Sequence, residues 1–288
     1  MRVPPREGKN EMDRSLLSTV LSLRVMRSPR VAAQAVLVCI LLVITRSSAW
    51  ALLREYSSLR VEPVVTATTG AAHPAERSVP NSTRVIDFTD YTGGPIRAWL
   101  RTKGFRLEHG AKDPAALALS HKAGALVLEA KQPVRGFLVN DQIKLEPVST
   151  VRITWGILKY PKGASYARQV NNEALAVYIS FGEDDVASGH ALIPARPYFI
   201  GLFLGQEEPR ETPYQGRYFR EGGRFVSVGN PPAYETVTSE FNLRTAFQTY
   251  FDKTDVPMIS GVSLGVDTFA SREGGTAAAY IHRIEFLD

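Results

Sequence analysis

The chain has 288 residues, 44% apolar and 22% charged, an ordinary globular composition with enough length for a core that needs no covalent staples. Its formal charge of +5 is unevenly placed. Eight of the 34 Lys and Arg and three of the 29 acids fall in residues 1–51, leaving 26 of each sign in residues 52–288. A neutral remainder argues against a phosphate-tracking surface, and so against nucleic acid as a partner. The single cysteine, Cys39, also lies in that leader, so the rest of the chain has no thiol for a disulfide, a thiolate metal site or a nucleophile.

Residues 31–45 form an apolar run of signal-core length, shorter than the roughly 20 residues that span a bilayer. Arg24, Arg27 and Arg30 precede it and Ala49-Trp50-Ala51 follows as a small-x-small pattern. Residues 1–51 therefore read as a signal peptide cleaved after Ala51, with Met26 or Met12 as a candidate true start. Val38 is not the small residue that a lipoprotein signal places before its cysteine. The expected location is exported, periplasmic or secreted. If uncleaved, residues 31–53 would anchor the chain in the inner membrane, with Arg46 snorkelling.

Residues 52–83, rich in Thr, Ala, Pro and Ser, read as a flexible tether. Residues 84–288 read as one domain of short β-prone segments between Gly, Pro, Asn and Asp clusters. Strands are expected at 84–88, 125–130, 151–157, 174–181, 198–204, 224–228, 261–267 and 277–287. Two alternate clearly: Val151, Ile153, Trp155 and Ile157 share one face, as do Leu175, Val177, Ile179 and Phe181. In residues 242–251, Leu243, Phe247, Tyr250 and Phe251 instead fall at helical spacing, with Ser239 or Asn242 as the cap. The predicted fold is all-β: a two-sheet, jelly-roll-like sandwich with one short amphipathic helix near the C-terminus.

The ordered pieces Ile153-Thr154-Trp155, Asn172-Glu173-Ala174-Leu175-Ala176-Val177-Tyr178-Ile179-Ser180-Phe181, and Ile259 through Thr268 resemble a known bacterial family, as does the closing strand Ala279 through Phe286. That family is domain-of-unknown-function family 3047, usually signal-bearing and without an assigned activity, and the similarity covers residues 84–288. It implies a sandwich similar to galactose-binding and carbohydrate-binding modules. The family often has a second Trp beside the position of Trp155, which here is flanked by Thr154 and Gly156. Asn172, Glu173 and Val177 stand where it often has two Asp and an Arg.

Chemistry-bearing residues are sparse. Glu173, entering a strand, and Asp267, leaving one, are weak catalytic candidates for glycan cleavage, which needs two acids across the substrate. Glu146 and Glu235 are further acids of this kind. The histidines, His73, His109, His121, His190 and His282, form no close-spaced metal motif. His282 reads as a core residue sharing strand parity with Tyr280, Ile284 and Phe286. No cofactor is expected, apart from a structural calcium for which Asp87, Glu285 and Asp288 are weak candidates. Ser188-Gly189-His190 is a loop tripeptide without a nucleophile elbow. The segment 205–234 is long, polar and aromatic, and its Tyr214, Arg217, Tyr218 and Tyr234, together with Trp99, are the candidate ligand-binding residues. Trp155 reads as core.

The leading functional reading is an exported, non-enzymatic envelope protein that binds a glycan or another envelope component. A glycan-active hydrolase or lyase using strand-end carboxylates, and a structural or assembly partner in the envelope, remain as alternatives.

Overall fold

Among the residues that the computed structural model describes, 82–271 and 274–288, alternating apolar strands close on each other as two sheets. The predicted leader, and residues 52–81 of the predicted tether, lie outside the described residues.

The strands are β1 (Ser82–Asp87), β2 (Arg106–His109), β3 (Leu117–Lys122), β4 (Ala125–Ala130), β5 (Arg135–Asn140), β6 (Thr150–Lys159) and β7 (Glu173–Val186). They continue with β8 (Arg196–Leu204), β9 (Pro213–Tyr214), β10 (Gly223–Gly229), β11 (Thr236–Asn242), β12 (Ile259–Asp267) and β13 (Ala277–Leu287). One sheet runs β11-β6-β13-β4-β3, with β1 also paired to β13; the other runs β2-β5-β12-β7-β8-β10-β9. They are called the β6 sheet and the β7 sheet below. All pairings are antiparallel except β8 with β10. The all-β two-sheet sandwich expected from the sequence is the observed architecture.

Alternation produces the core. Val151, Ile153, Trp155 and Ile157 of β6 point inward against Leu175, Val177, Ile179 and Phe181 of β7, all buried in one cluster. Trp155 is fully buried, and its indole N–H donates to Ser239 Oγ at 3.1 Å, so the polar atom that this side chain carries into the core is satisfied. Ser239 thus belongs to β11, and the cap of the late helix α2 (Leu243–Phe251) is Asn242, whose Oδ1 accepts the Thr245 N–H at 2.8 Å. This helix packs Phe247 against Phe181 and Tyr198, at ring-centroid distances of 4.8 and 5.8 Å.

Strands β2, β3, β5 and β11 lie outside the expected ones, and three further features depart from the expectation. A second helix, α1 (Ile96–Thr102), follows β1; it buries only Leu100 and has no side-chain cap, so its stripe is too weak to read. The segment 205–234 contains, besides the expected strand at 224–228 (β10), the short β9, and both extend the β7 sheet. Strand β13 also changes parity. Its register shifts between Ile281 and Arg283, so Ile281, Ile284 and Phe286 face the core, whereas Tyr280 packs with Ala125 and Val127 on the opposite face. His282 sits at this irregularity, half-buried, with Nδ1 2.9 Å from the Gly124 carbonyl oxygen.

Candidate functional site

On β7 the odd positions from Leu175 fill the core, which turns Ala176 and Tyr178 to the other side of the sheet. The same parity on neighbouring strands turns out Phe137 of β5, Phe199 and Phe203 of β8, and Phe225 of β10. Tyr214 of β9 and Tyr166, from the β6–β7 connection, join them.

Tyr166 stacks on Phe203 at 4.7 Å and both are buried; Phe137, Tyr178, Phe199, Tyr214 and Phe225 stay half-buried. Tyr178 meets Phe137, Phe199 and Phe225 edge-to-face at 5.9, 5.8 and 5.9 Å, and Tyr166 reaches Phe225 and Tyr214 at 5.4 Å each. These contacts form one strip across six strands, five of which carry its rings. Glycine on the adjacent strands lets the central ring lie close to the sheet: a Cβ at Gly265 would stand 2.5 Å from the Tyr178 ring, and one at Gly201 2.9 Å from it.

An ion row marks one end of the strip. Asp267 pairs in register with Arg135 on one side and Glu173 on the other. A register shift between Gly265 and Asp267 gives β7 one extra residue, and this brings Glu173 to Asp267 instead of continuing the core alternation. Arg135 Nε donates to Asp267 Oδ2 at 2.5 Å, and the Phe269 N–H donates to Oδ1 at 3.0 Å.

Burial pushes the Glu173 carboxyl well above its ordinary range; the Asp267 charge adds to this and Arg135 opposes it. Asp267 is also raised by burial, against the pull of Arg135. The Tyr178 hydroxyl is raised by burial and then by the charges of Glu173 and Asp267, so it remains a donor. Two buried polar atoms nearby in sequence, the Tyr166 hydroxyl and Asn172 Nδ2, have no protein partner, while Asn172 Oδ1 accepts the Ala270 N–H at 3.1 Å.

The candidate residues are therefore sorted. Glu173 and Asp267 come together, and Tyr214 joins the aromatic strip. Tyr218 lies under the Arg217 guanidinium at 5.5 Å and edge-on to His190 at 5.5 Å, a pairing outside the strip. Tyr234 is 77% exposed, but its N–H bonds Ile157 of β6, so it belongs to the rim of the other sheet. Trp99 is occupied internally by Phe88, Tyr91 and His121 at 6.3, 5.2 and 6.0 Å, with Lys103 over its ring. Glu146 and Glu235 are exposed and lie outside the row. Ser188 Oγ donates to the carbonyls of His190 and Ile193 as a loop brace, while the His190 ring accepts the Leu192 N–H at 3.3 Å.

Of the calcium candidates, Asp87 pairs across from Arg283 and Glu285 from Arg152, and Asp288 follows the end of β13. No group of three or more His, Cys, Asp or Glu that could hold a metal ion occurs among the described residues. No helix among them is long and apolar enough to cross a membrane.

The residues that sequence reasoning missed are Arg135, Phe137, Tyr166, Tyr178, Phe199 and Phe225. For Tyr178, Phe199 and Phe225 the available signal was aromatic residues on the non-core parity of expected strands, interleaved with glycine, as in Phe199-Ile200-Gly201-Leu202-Phe203.

No protein-family model and no curated protein matches the chain. Among solved structures it is similar to family 29 carbohydrate-binding modules. One, a mutant of the module CBM29-2, is 7% identical with a TM-score of 0.31, covering 70% of this chain and 91% of that one. A second family 29 module is 9% identical with a TM-score of 0.32, covering 70% and 88%. A third, CBM29_1 from Piromyces equi, is 12% identical with a TM-score of 0.28, covering 64% and 81%.

Proposed function

We propose that this is an exported, non-enzymatic binding protein of the bacterial envelope that holds a glycan on the outer aromatic face of its β7 sheet. The observation that carries the reading is the half-buried strip Phe137–Tyr178–Phe199–Phe225–Tyr214, because aromatic rings left partly exposed on the face turned away from the core are not needed for that core. Rings of this kind offer apolar faces to the C–H faces of sugars, and Tyr hydroxyls and Arg135 at the margin supply hydrogen-bond donors. Both Asp267 oxygens already accept hydrogen bonds and Glu173 is buried, an arrangement that supports holding more than turnover. The leader pattern in residues 1–51 supports export.

Glycan-array and cell-wall pull-down measurements test this reading. Tyr214→Ala is expected to weaken binding, while Tyr218→Ala, outside the strip, leaves it at the wild-type level. Absence of binding by wild type, or equal binding by both variants, overturns it.

The side-by-side placement of Glu173 and Asp267, one buried and one ion-paired, favours a second reading as a glycan hydrolase or lyase. It requires release of new reducing or unsaturated ends from a polysaccharide by wild type and none by Glu173→Gln. Equal yields from the two proteins remove it.

A further inference from the structure

At the β2 edge of the β7 sheet, the side chains gathered are cationic. A cavity of about 400 Å³ is lined by Arg97, Arg101, Arg106, Leu107 and Lys112. A neighbouring cavity of about 190 Å³ shares Arg101 and Arg106 with it and adds Gly104, Phe105, Asp141 and Gln142. The larger volume falls in the range of roughly 300–1,000 Å³ typical of small-ligand sites.

The four cations come from three elements and differ in how they are held. Arg97, on α1, is fixed: its guanidinium donates to the carbonyls of Ala111, Lys112 and Leu117 at 2.7, 3.4 and 3.4 Å, none of which cancels its charge. Arg106, on β2, is paired with Glu108 at 3.0 Å and Asp141 at 2.5 Å. Arg101, in the last turn of α1, and Lys112, at the end of the 3-10 turn Gly110–Lys112, have no ion pair with a side chain among the described residues. Asp113, beside Lys112, already accepts the Ala115 N–H at 2.8 Å.

The acids touching this set are thus Glu108 and Asp141, and both are spent on Arg106. In a domain whose charges sum to zero, this edge holds a local excess of positive charge around a ring-sized space. Planar guanidinium forks match the paired oxygens of a carboxylate or sulfate, and the apolar Leu107 offers a wall for the rest of the unit.

We infer that this cavity is a binding site for an oxyanion carried on a sugar unit, a uronic carboxylate or a sulfate ester. The occupant as a sugar rests on the glycan reading above; the oxyanion site does not. A concave space walled by an apolar side chain suits one acidic unit better than the flat array of headgroups on a membrane. Arg106 shares the outer face with Val139 of β5, its register partner, while Leu107 lies opposite the core residue Leu138.

The test uses the full chain and three probes: an oligogalacturonate, its neutral methyl ester, and vesicles containing phosphatidylglycerol. Titration calorimetry is expected to show the acid form binding about tenfold more tightly than the ester. An Arg101→Gln/Lys112→Gln variant removes that difference without changing ester binding, and high salt does the same in wild type. Inorganic sulfate, titrated alone, is expected to protect the wild type against thermal unfolding more than the variant, even if no sugar binds. That outcome would end the glycan reading while supporting the oxyanion site. Equal binding of acid and ester by both proteins, with no effect of sulfate, overturns the site and leaves the aromatic reading standing. Binding to the vesicles alone also overturns it.

Discussion

The two outer faces of this sandwich obey different rules. On the β6 sheet the outward row toward β11 is polar: Arg152 reaches Glu240 at 2.7 Å, Thr154 meets Thr238 at 3.2 Å, and the Tyr280 hydroxyl meets Thr236 at 2.8 Å, while the outward apolar residues Ala125, Val127 and Tyr280 form a small cluster beside it. The polar contacts are cross-strand pairs of the kind that solvated antiparallel sheets use. On the β7 sheet the corresponding positions carry Phe137, Tyr178, Phe199 and Phe225 over glycines. Both sheets bury apolar inner faces in a shared core, so that core does not account for the difference between their outer faces. The β6 face is what a sheet needs in water, and the β7 face carries something more.

The comparison is broken most severely by damage to the shared core. Trp155→Ala is expected to cost about 3–5 kcal/mol, because it empties a fully buried site and leaves Ser239 without its partner. Chemical denaturation should show the loss, and both faces should fail in one transition. A variant retaining a folded β7 face after the β6 sheet melts would mean that the two faces do not rest on one core.

Removing rings should separate them. Tyr178→Ala/Phe225→Ala is expected to weaken glycan binding about thirtyfold, roughly 2 kcal/mol, while Thr154→Ala/Thr238→Ala on the other face leaves it unchanged. Calorimetric titration of all three proteins, with unfolding curves as controls, reads this directly. Equal losses from both faces would show that the aromatic strip is only packing.

How far these faces were legible in the sequence depends on the pattern each carries. Strict alternation in residues 151–157 and 174–181 revealed inner faces, and the helical stripe through Leu243 and Phe247 revealed α2, because burial leaves a period. The strip left none, since Phe137, Tyr166, Tyr178 and Phe225 lie far apart in the chain and meet only through strand order. The union of Glu173 with Asp267 was suggested by both lying at strand ends, but the register shift that joins them has no sequence mark. For the same reason the β13 irregularity upset the parity assigned to His282. Tyr218 and Tyr234 were grouped with Tyr214 by composition, and β10 then carried Tyr234 away to the other sheet.

Acid titration sharpens the contrast further. A carboxyl raised by burial keeps its proton in the folded chain at a pH where the unfolded chain has lost it. Glu173 and Asp267 therefore contribute stability below their ordinary values of 4.5 and 3.8, and this fades as pH rises through their folded-state values. The slope from one such proton is at most about 1.4 kcal/mol per pH unit. Glu173→Gln should flatten this fall, gaining stability on wild type as pH rises, when thermal unfolding is followed across the acid-to-neutral range. An unchanged pH profile would mean that Glu173 is not held as an acid within the row.

The smallest effect compares two Arg–carboxylate pairs, one on each face. Arg152–Glu240, 2.7 Å apart, leaves the Glu240 side chain 56% exposed, whereas Arg135–Asp267, 2.5 Å apart, leaves the Asp267 side chain only 14% exposed. Water and salt screen the first pair freely, so a double-mutant cycle with Arg152→Gln and Glu240→Gln should give a coupling of about 0.2–1 kcal/mol that disappears at high ionic strength. The same cycle on Arg135 and Asp267 should keep most of its coupling in salt, because Asp267 is shielded on one side and its partner is the cation set against two neighbouring acids. If the two cycles respond alike to salt, the ion row at the end of the aromatic strip is no more sheltered than an ordinary surface pair, and the distinction between the faces narrows to their rings.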